Sequence, residues 1–264
     1  SNVLFGPAPK VSNYFCCNGV IPGFSQSGGM GMLAAEWITK GETQYDMFAW
    51  DLTRFGDWCN DAFTKERVRD QYANRFKIHF PGEEREAGRP LRTRPAFQFQ
   101  KELGGVFGLN YGWEHPLYFD FDTPDTAGFT RQDWWKSVRR EALLLRQNVG
   151  IIDISNFGKY LCCGDGAYEF LDGIFANKIP KNVGGSCLSP IIGKMGGIAA
   201  DATITKLSED SFWIVSSGAA EGFQQRFYNL VKRGKGTEFI SKSEDYCGFN
   251  VAGPKSRELL QRLS

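Results

Sequence analysis

Histidine is almost missing from this chain of 264 residues, which has only His79 and His115. A histidine-rich metal site is thereby excluded, and a histidine-based triad would have little choice of base. Both are read as structural residues. No run of about 20 apolar residues is present and no signal-peptide pattern opens the chain, so a membrane-spanning helix is not expected. Charge of one sign is also lacking. Lys and Arg number 31 against 30 Asp and Glu, for a net charge of +1, and the basic residues are scattered. Neither nucleic acid nor an anionic membrane is indicated as a partner. The seven cysteines include two adjacent pairs, Cys16-Cys17 and Cys162-Cys163, and show no CxxC knuckle and no disulfide-framework spacing. That usage suits a reducing compartment.

What the chain does have is a glycine cluster. Ser27, Gly28, Gly29, Met30 and Gly31 precede an apolar pattern, Leu33, Trp37 and Ile38, that stops at Gly41. This predicts a glycine loop opening a helix from about Met30 to Lys40, with Gly41 in the C′ position. Glycines remove Cβ atoms where backbone must approach a flat or anionic ligand, and free N–H groups at a helix start favour negative charge. A plain turn with glycines for packing fits the same residues. Gly29-x-Gly31-x-x-Ala34 also satisfies the loose dinucleotide pattern. It is rejected, because the nearest strand candidate, residues 13–17, lies about ten residues away and no βαβ unit precedes it.

With 42% hydrophobic residues the chain can bury more than one core, so two modules are expected. The pattern divides it into three segments. Residues 1–58 hold a short strand, the glycine loop, its helix and a polar-aromatic exit from Asp51 to Trp58. Residues 59–117 contain Arg89, Arg92 and Arg94 in a stretch that Pro90 and Pro95 hold extended. Those arginines could grip a carboxylate or lie on a solvated strand. Residues 118–264 read as an α+β module. There Asp133 is placed to cap a helix burying Trp135, Val138, Ala142, Leu145 and Val149, before Gly150 stops it. A strand over 151–163 follows, then a short helix capped by Asp165 with Phe170, Leu171 and Ile174 inward. A hairpin joins 200–207 to 212–216. Alternation sets Asp201, Thr203 and Thr205 on one face of its first strand, and Ala202 and Ile204 on the other. Asp201 is then either a wet-face aspartate or a carboxylate placed for chemistry just after the Gly196-Gly197 bend.

Taken in order, Asn13-Tyr-Phe15, Ser27 to Gly31 with Ala35-Glu-Trp-Ile38, Asp51 to Phe55 with Gly56-Asp57, His79-Phe-Pro-Gly-Glu-Glu84, Arg89-Pro-Leu-Arg-Thr93, Gly105 to Gly108 and Gly112-Trp-Glu-His-Pro116 resemble the dimethylglycine and sarcosine dehydrogenases. Asn156 to Tyr160, Ala176 to Lys181 and Gly196 to Ile204 continue the resemblance into the folate-binding, aminomethyltransferase-like half. It is collinear over nearly the whole chain. It implies an α+β fold made of the C-terminal end of a flavin oxidoreductase domain, a small connecting domain and the N-terminal part of an aminomethyltransferase-like domain.

The resemblance also implies an activity, oxidation of an N-methyl amine by FAD with one-carbon transfer to tetrahydrofolate. Ser27, Gly28, Gly29, Met30 and Gly31 would contact the flavin, and Asp201 would act in the folate site. It further implies a bacterial cytoplasmic or mitochondrial matrix setting. The chain departs from the pattern in two ways. The nucleotide-binding βαβ unit is not among these residues, so an internal fragment with little activity of its own is expected. The family's usual Met-Leu-Asn is Ile191-Ile192-Gly193 here. A non-catalytic relative like the regulatory subunit of pyruvate dehydrogenase phosphatase, and a stand-alone folate-dependent demethylase, are the alternatives.

Overall fold

The computed structural model describes residues 3–9, 11–21, 23–120, 127–218, 221–229 and 234–263. Two compact units share the chain: residues 1–56 with 157–244, and residues 57–156 with 245–264.

The first unit is organised by an antiparallel sheet of five strands in the order β10-β6-β9-β8-β7. Strand β8 (Ile198–Ser208) alternates as its sequence predicts, with Ala202 and Ile204 in the core and Asp201 and Thr203 exposed. A two-residue turn returns it as β9 (Ser211–Ser216), which buries Phe212 and Ile214. Strands β6 (Gly158–Cys163), β7 (Ser186–Ile192) and β10 (Glu238–Ser241) complete the sheet. Helix α5 (Ala167–Asp172) and α6 (Glu221–Tyr228) supply Phe170, Leu171 and Tyr228 to the same core.

The unit's other core is built on a hairpin, β1 (Leu4–Pro7) with β2 (Phe15–Asn18), and on helix α1 (Gly23–Lys40). Phe5, Phe15 and Trp37 meet edge-on or tilted, with centroids 5.1 to 6.0 Å apart. Gly6 is required here. Its φ is +133°, and a Cβ would lie 3.1 Å from the Trp37 ring.

The second unit holds α2 (Asp61–Ala73), capped by Asn60, whose side chain accepts from Phe63 N at 3.0 Å. Helix α3 (Phe97–Glu102) leads into the hairpin β3 (Gly105–Asn110) and β4 (Trp113–Phe119). Tyr111 and Gly112 form its turn, with φ of 49° and 83°. Helix α4 (Trp134–Gln147) runs into β5 (Gly150–Asp153), which pairs with β11 (Phe249–Ala252) before α7 (Ser256–Gln261). Arg89 does grip a carboxylate. It donates from Nε and Nη2 to Glu114 at 3.0 and 2.6 Å, and both side chains are at most 5% exposed. The guanidinium carbons of Arg92 and Arg94 lie 3.8 and 3.4 Å from the Trp113 ring centroid.

Four local expectations are corrected. Helix α1 starts at Gly23, so Ser27, Gly28, Gly29, Met30 and Gly31 lie inside it and not in a loop ahead of it. In α4, Ser137 is buried and Trp134, Val138, Glu141 and Leu145 are half-buried, whereas Trp135 and Ala142 are exposed. Val138, Leu145 and Val149 of the expected stripe are thus half-buried as expected, and Trp135 and Ala142 give way to their neighbours Trp134 and Glu141. The strand expected over 151–163 is two strands in different units, because Asp153 Oδ1 accepts from Ser155 N at 2.8 Å and turns the chain. Among the described residues Asp133 and Asp165 make no side-chain capping bond. Asp133 instead pairs with Lys136 at 2.6 Å, and Gly166, at φ +84°, occupies the cap of α5.

Candidate functional site

The first unit contains a cavity of about 620 Å³. Its wall begins where α1 ends, because Gly41 adopts φ +86° and donates to Trp37 O at 2.8 Å, stopping the helix and turning the chain into residues 42–48. The opposite wall is the turn between β7 and β8, closed by Gly193 N to Gly197 O at 2.9 Å, together with Ile198 and Ala199. Helix α6 contributes Phe223 and Arg226.

Arg226 is held in place from below. Its Nη1 and Nη2 donate to Asp51 at 2.7 and 3.2 Å, and the guanidinium carbon lies 5.6 Å from the Trp37 ring centroid and 5.7 Å from that of Phe223. Asp51 has no exposure, and it also accepts from Thr53 N at 2.8 Å and Thr53 Oγ1 at 2.6 Å. Four donors therefore compensate one buried carboxylate. Helix α6 can come close to residues 52–54 because Gly222 has no side chain; a Cβ there would lie 2.6 Å from Thr53 O.

Two acids and two bases face this space. Asp46 is committed to a turn, accepting from Phe48 N at 2.9 Å. Glu42 has its Oε2 3.2 Å from the point a Cβ on Gly193 would occupy, and its Oε1 is buried with no hydrogen-bond partner among the described residues. Lys194 is exposed and makes no ion pair among the described residues.

None of the residues proposed for the flavin lines the cavity. Gly28, Gly29 and Gly31 point into open space, Met30 is packed in the core, and Ser27 Oγ donates back to Phe24 O at 3.0 Å. Asp201 lies two residues past Ala199 on the exposed face of β8, outside the wall. The structure therefore does not bring the two groups of expected site residues together. The polar wall it does assemble had partial sequence signals: Asp51 lies in the exit motif, and Gly193 lies in the stretch that departs from the pattern the sequence resembles. Arg226 had none, being one arginine on a short helix.

Titration is perturbed elsewhere. Burial lowers the pKa of His115, partly opposed by Asp153. Burial raises the phenol pKa values of Tyr160 and Tyr228 well above the usual range. Among the described residues no group of three His, Cys, Asp or Glu could hold a metal, and all seven cysteines are free.

Comparison with known proteins places this arrangement. Residues 96–264 match the model of the GCVT N-terminal domain. The chain belongs to that family. Residues 40–93 match the FAD dependent oxidoreductase central domain. Human mitochondrial dimethylglycine dehydrogenase is 31% identical over 266 residues, covering 99% of this chain and 31% of the relative. The mouse pyruvate dehydrogenase phosphatase regulatory subunit is 27% identical over 272 residues, again 99% of this chain and 31% of the relative. The chain thus spans about a third of the length of the relatives it matches.

Among solved structures, aminomethyltransferase T of the glycine cleavage system from Bartonella henselae superposes with a TM-score of 0.55 at 22% identity, over 65% of this chain and 43% of that one. The family resemblance drawn from the motifs is shown, as is the α+β fold with its two kinds of domain. No helix among the described residues is long and apolar enough to cross a membrane.

Proposed function

We propose that the chain serves an FAD-dependent oxidoreductase that demethylates a methylated glycine-type amine, of the dimethylglycine or sarcosine class, and passes the one-carbon unit to tetrahydrofolate. The observation that carries this reading is the pairing, in one collinear match, of an FAD oxidoreductase central domain with a GCVT N-terminal domain. The three segments 1–58, 59–117 and 118–264, a small-molecule amine as partner and a bacterial cytoplasmic or mitochondrial matrix setting belong to the same proposal.

The residues fit the two cofactors unequally. Backbone N–H groups inside α1 are spent on the helix, so Ser27 to Gly31 offer no cradle for a flavin, and no oxidation step is assigned to them. Asp201 fits a folate role better. It is exposed, its strand is anchored by Ala202 and Ile204 on the other face, and an ionised carboxylate there accepts a hydrogen bond or a proton from a ligand nitrogen. Tetrahydrofolate supplies the nitrogen that takes the one-carbon unit.

The reading is tested on the full-length protein purified under native conditions, which should show flavin absorbance; protein with no bound flavin would sink it. Asp201→Asn should leave amine oxidation intact while methylenetetrahydrofolate yield falls by about tenfold or more and formaldehyde is released. Unchanged yield and unchanged formaldehyde would remove Asp201 from the folate step. The second reading, a non-catalytic regulatory subunit, is supported by the match to the phosphatase regulatory subunit along 99% of the chain. It predicts neither flavin nor turnover.

A further inference from the structure

In the second unit, helix α4 gathers charge that the sequence scatters. Its inward arc is Trp134, Ser137, Val138, Glu141 and Leu145, and this fixes the direction of the rest. The outward arc carries Lys136, Arg139, Arg140 and Arg146, all exposed, and no acid. Glu141 is the helix's one carboxylate, and it is turned inward to accept from Phe119 N at 2.7 Å. Asp133, just ahead of the helix, is taken up by Lys136 at 2.6 Å. Arg139 and Arg146 form no ion pair among the described residues. In a chain of net charge +1, this face is therefore a local excess of cations.

Large apolar side chains stand out around it. Leu143, 42% exposed, lies one turn from both Arg139 and Arg146. Trp135 is also exposed, with the Arg131 guanidinium carbon 4.6 Å from its ring centroid. The segment leading into α4 is pinned to the stretch that follows α2. Phe80 and Phe129 meet edge-on with centroids 4.9 Å apart, and Gln132 Nε2 donates to Pro81 O at 3.2 Å. That contact sets Phe129, Phe76 and Ile78 by the start of the basic helix, where they are 69%, 90% and 76% exposed. Apolar groups clustered in water to this degree mark a surface that meets something else.

The combination selects the occupant. A nucleic acid would engage the cations through its phosphates but leave Ile78 and Leu143 in water. An anionic bilayer takes both, because its headgroups neutralise Lys and Arg while the boundary with the acyl chains accepts Phe, Trp and Leu. No described helix is long and apolar enough to cross a membrane, so the contact is with the surface.

We propose that α4, with residues 76–81 and 128–132 beside it, is a docking face for the anionic headgroup surface of a lipid bilayer. Lys136, Arg139 and Arg146 lie against the headgroup phosphates and carboxylates, and Phe76, Ile78 and Phe129 enter the boundary with the acyl chains. Binding is peripheral and reversible. It is independent of the amine chemistry and of both cofactors.

The test is co-sedimentation of the intact 264-residue chain with vesicles, at low salt. One set is phosphatidylcholine with about 30% phosphatidylserine and the other is phosphatidylcholine alone. Affinity for the anionic vesicles is expected to be about tenfold higher or more, and to fall to the phosphatidylcholine level in about 1 M salt. Arg139→Glu with Arg146→Glu should weaken binding about thirtyfold or more, whereas Arg139→Lys with Arg146→Lys should keep it within about twofold. Phe76→Ser with Ile78→Ser should cost about tenfold. All four positions are exposed, so each variant should fold, and circular dichroism checks that it does.

Equal binding to the two kinds of vesicle, or none to either, would overturn the proposal. So would wild-type affinity in the Arg139→Glu, Arg146→Glu variant or in the Phe76→Ser, Ile78→Ser variant. Tighter binding to single-stranded polyuridylate than to the anionic vesicles would overturn it in favour of a nucleic-acid face.

Discussion

Asp51 shows how much one side chain can be asked to hold. It has no contact with water, and half of its hydrogen bonds come from Arg226, whose side chain is a quarter exposed. Removing one partner of a buried pair costs about 3–5 kcal/mol, because the other charge is left uncompensated. The partial exposure of Arg226 sets the expectation at about 3 kcal/mol for Arg226→Ala, measured by urea denaturation. A loss below about 1 kcal/mol would mean that the pair behaves like a surface ion pair. Sequence marked Asp51 by its motif but gave no sign of its partner, which lies 175 residues away in the chain. The pairing is set by how α6 packs on residues 52–54, and Gly222 is what permits that approach.

Helix α1 carries the corresponding lesson for elements. Its C-terminal half was legible in part, since Leu33 and Trp37 are buried and Gly41 ends it as the pattern requires, whereas Ile38, expected in the same stripe, is exposed. Its start was not, because three glycines read as a break in local propensity while tertiary packing of Met30 and Trp37 carries the helix through them. Each helical glycine costs roughly 0.5–1 kcal/mol relative to alanine. A Cβ on Gly28 or Gly29 meets nothing within 4 Å, so Gly28→Ala and Gly29→Ala should each raise stability by about 0.5–1 kcal/mol in thermal denaturation. Destabilisation would show instead that the segment is a loop.

Helix α4 failed differently. Periodicity fixes the spacing of a stripe but not its phase, and the phase here follows Glu141, whose Oε1 accepts from Phe119 N at 2.7 Å and so turns that side of the helix inward. Strand β8, by contrast, was readable in detail, because a period of two with β-branched residues leaves only two possible faces.

On the scale of the whole molecule, composition and collinear motifs were enough to reach the family, since these survive where individual contacts change. They could not reveal that the two compact units are interleaved along the chain. Alongside the three proposed segments, residues 1–56 share a compact unit with 157–244 and residues 57–156 share one with 245–264. The cavity is a product of that interleaving, because its walls come from residues 37–48 and 192–226. No local window of sequence contains both. The folate-side candidate Asp201 was legible for the opposite reason, being set by alternation within one strand.

The interleaving also bears on how the protein is made. During synthesis the hairpin and helix around Phe5 and Trp37 emerge well before the sheet of the same unit, whose last strand ends at Ser241. At the usual rate of roughly 5–20 residues per second, that is a delay on the order of 10–40 s. For that time the carboxylate of Asp51 lacks the Arg226 guanidinium that compensates its burial, so the early part of the unit is completed only late in synthesis.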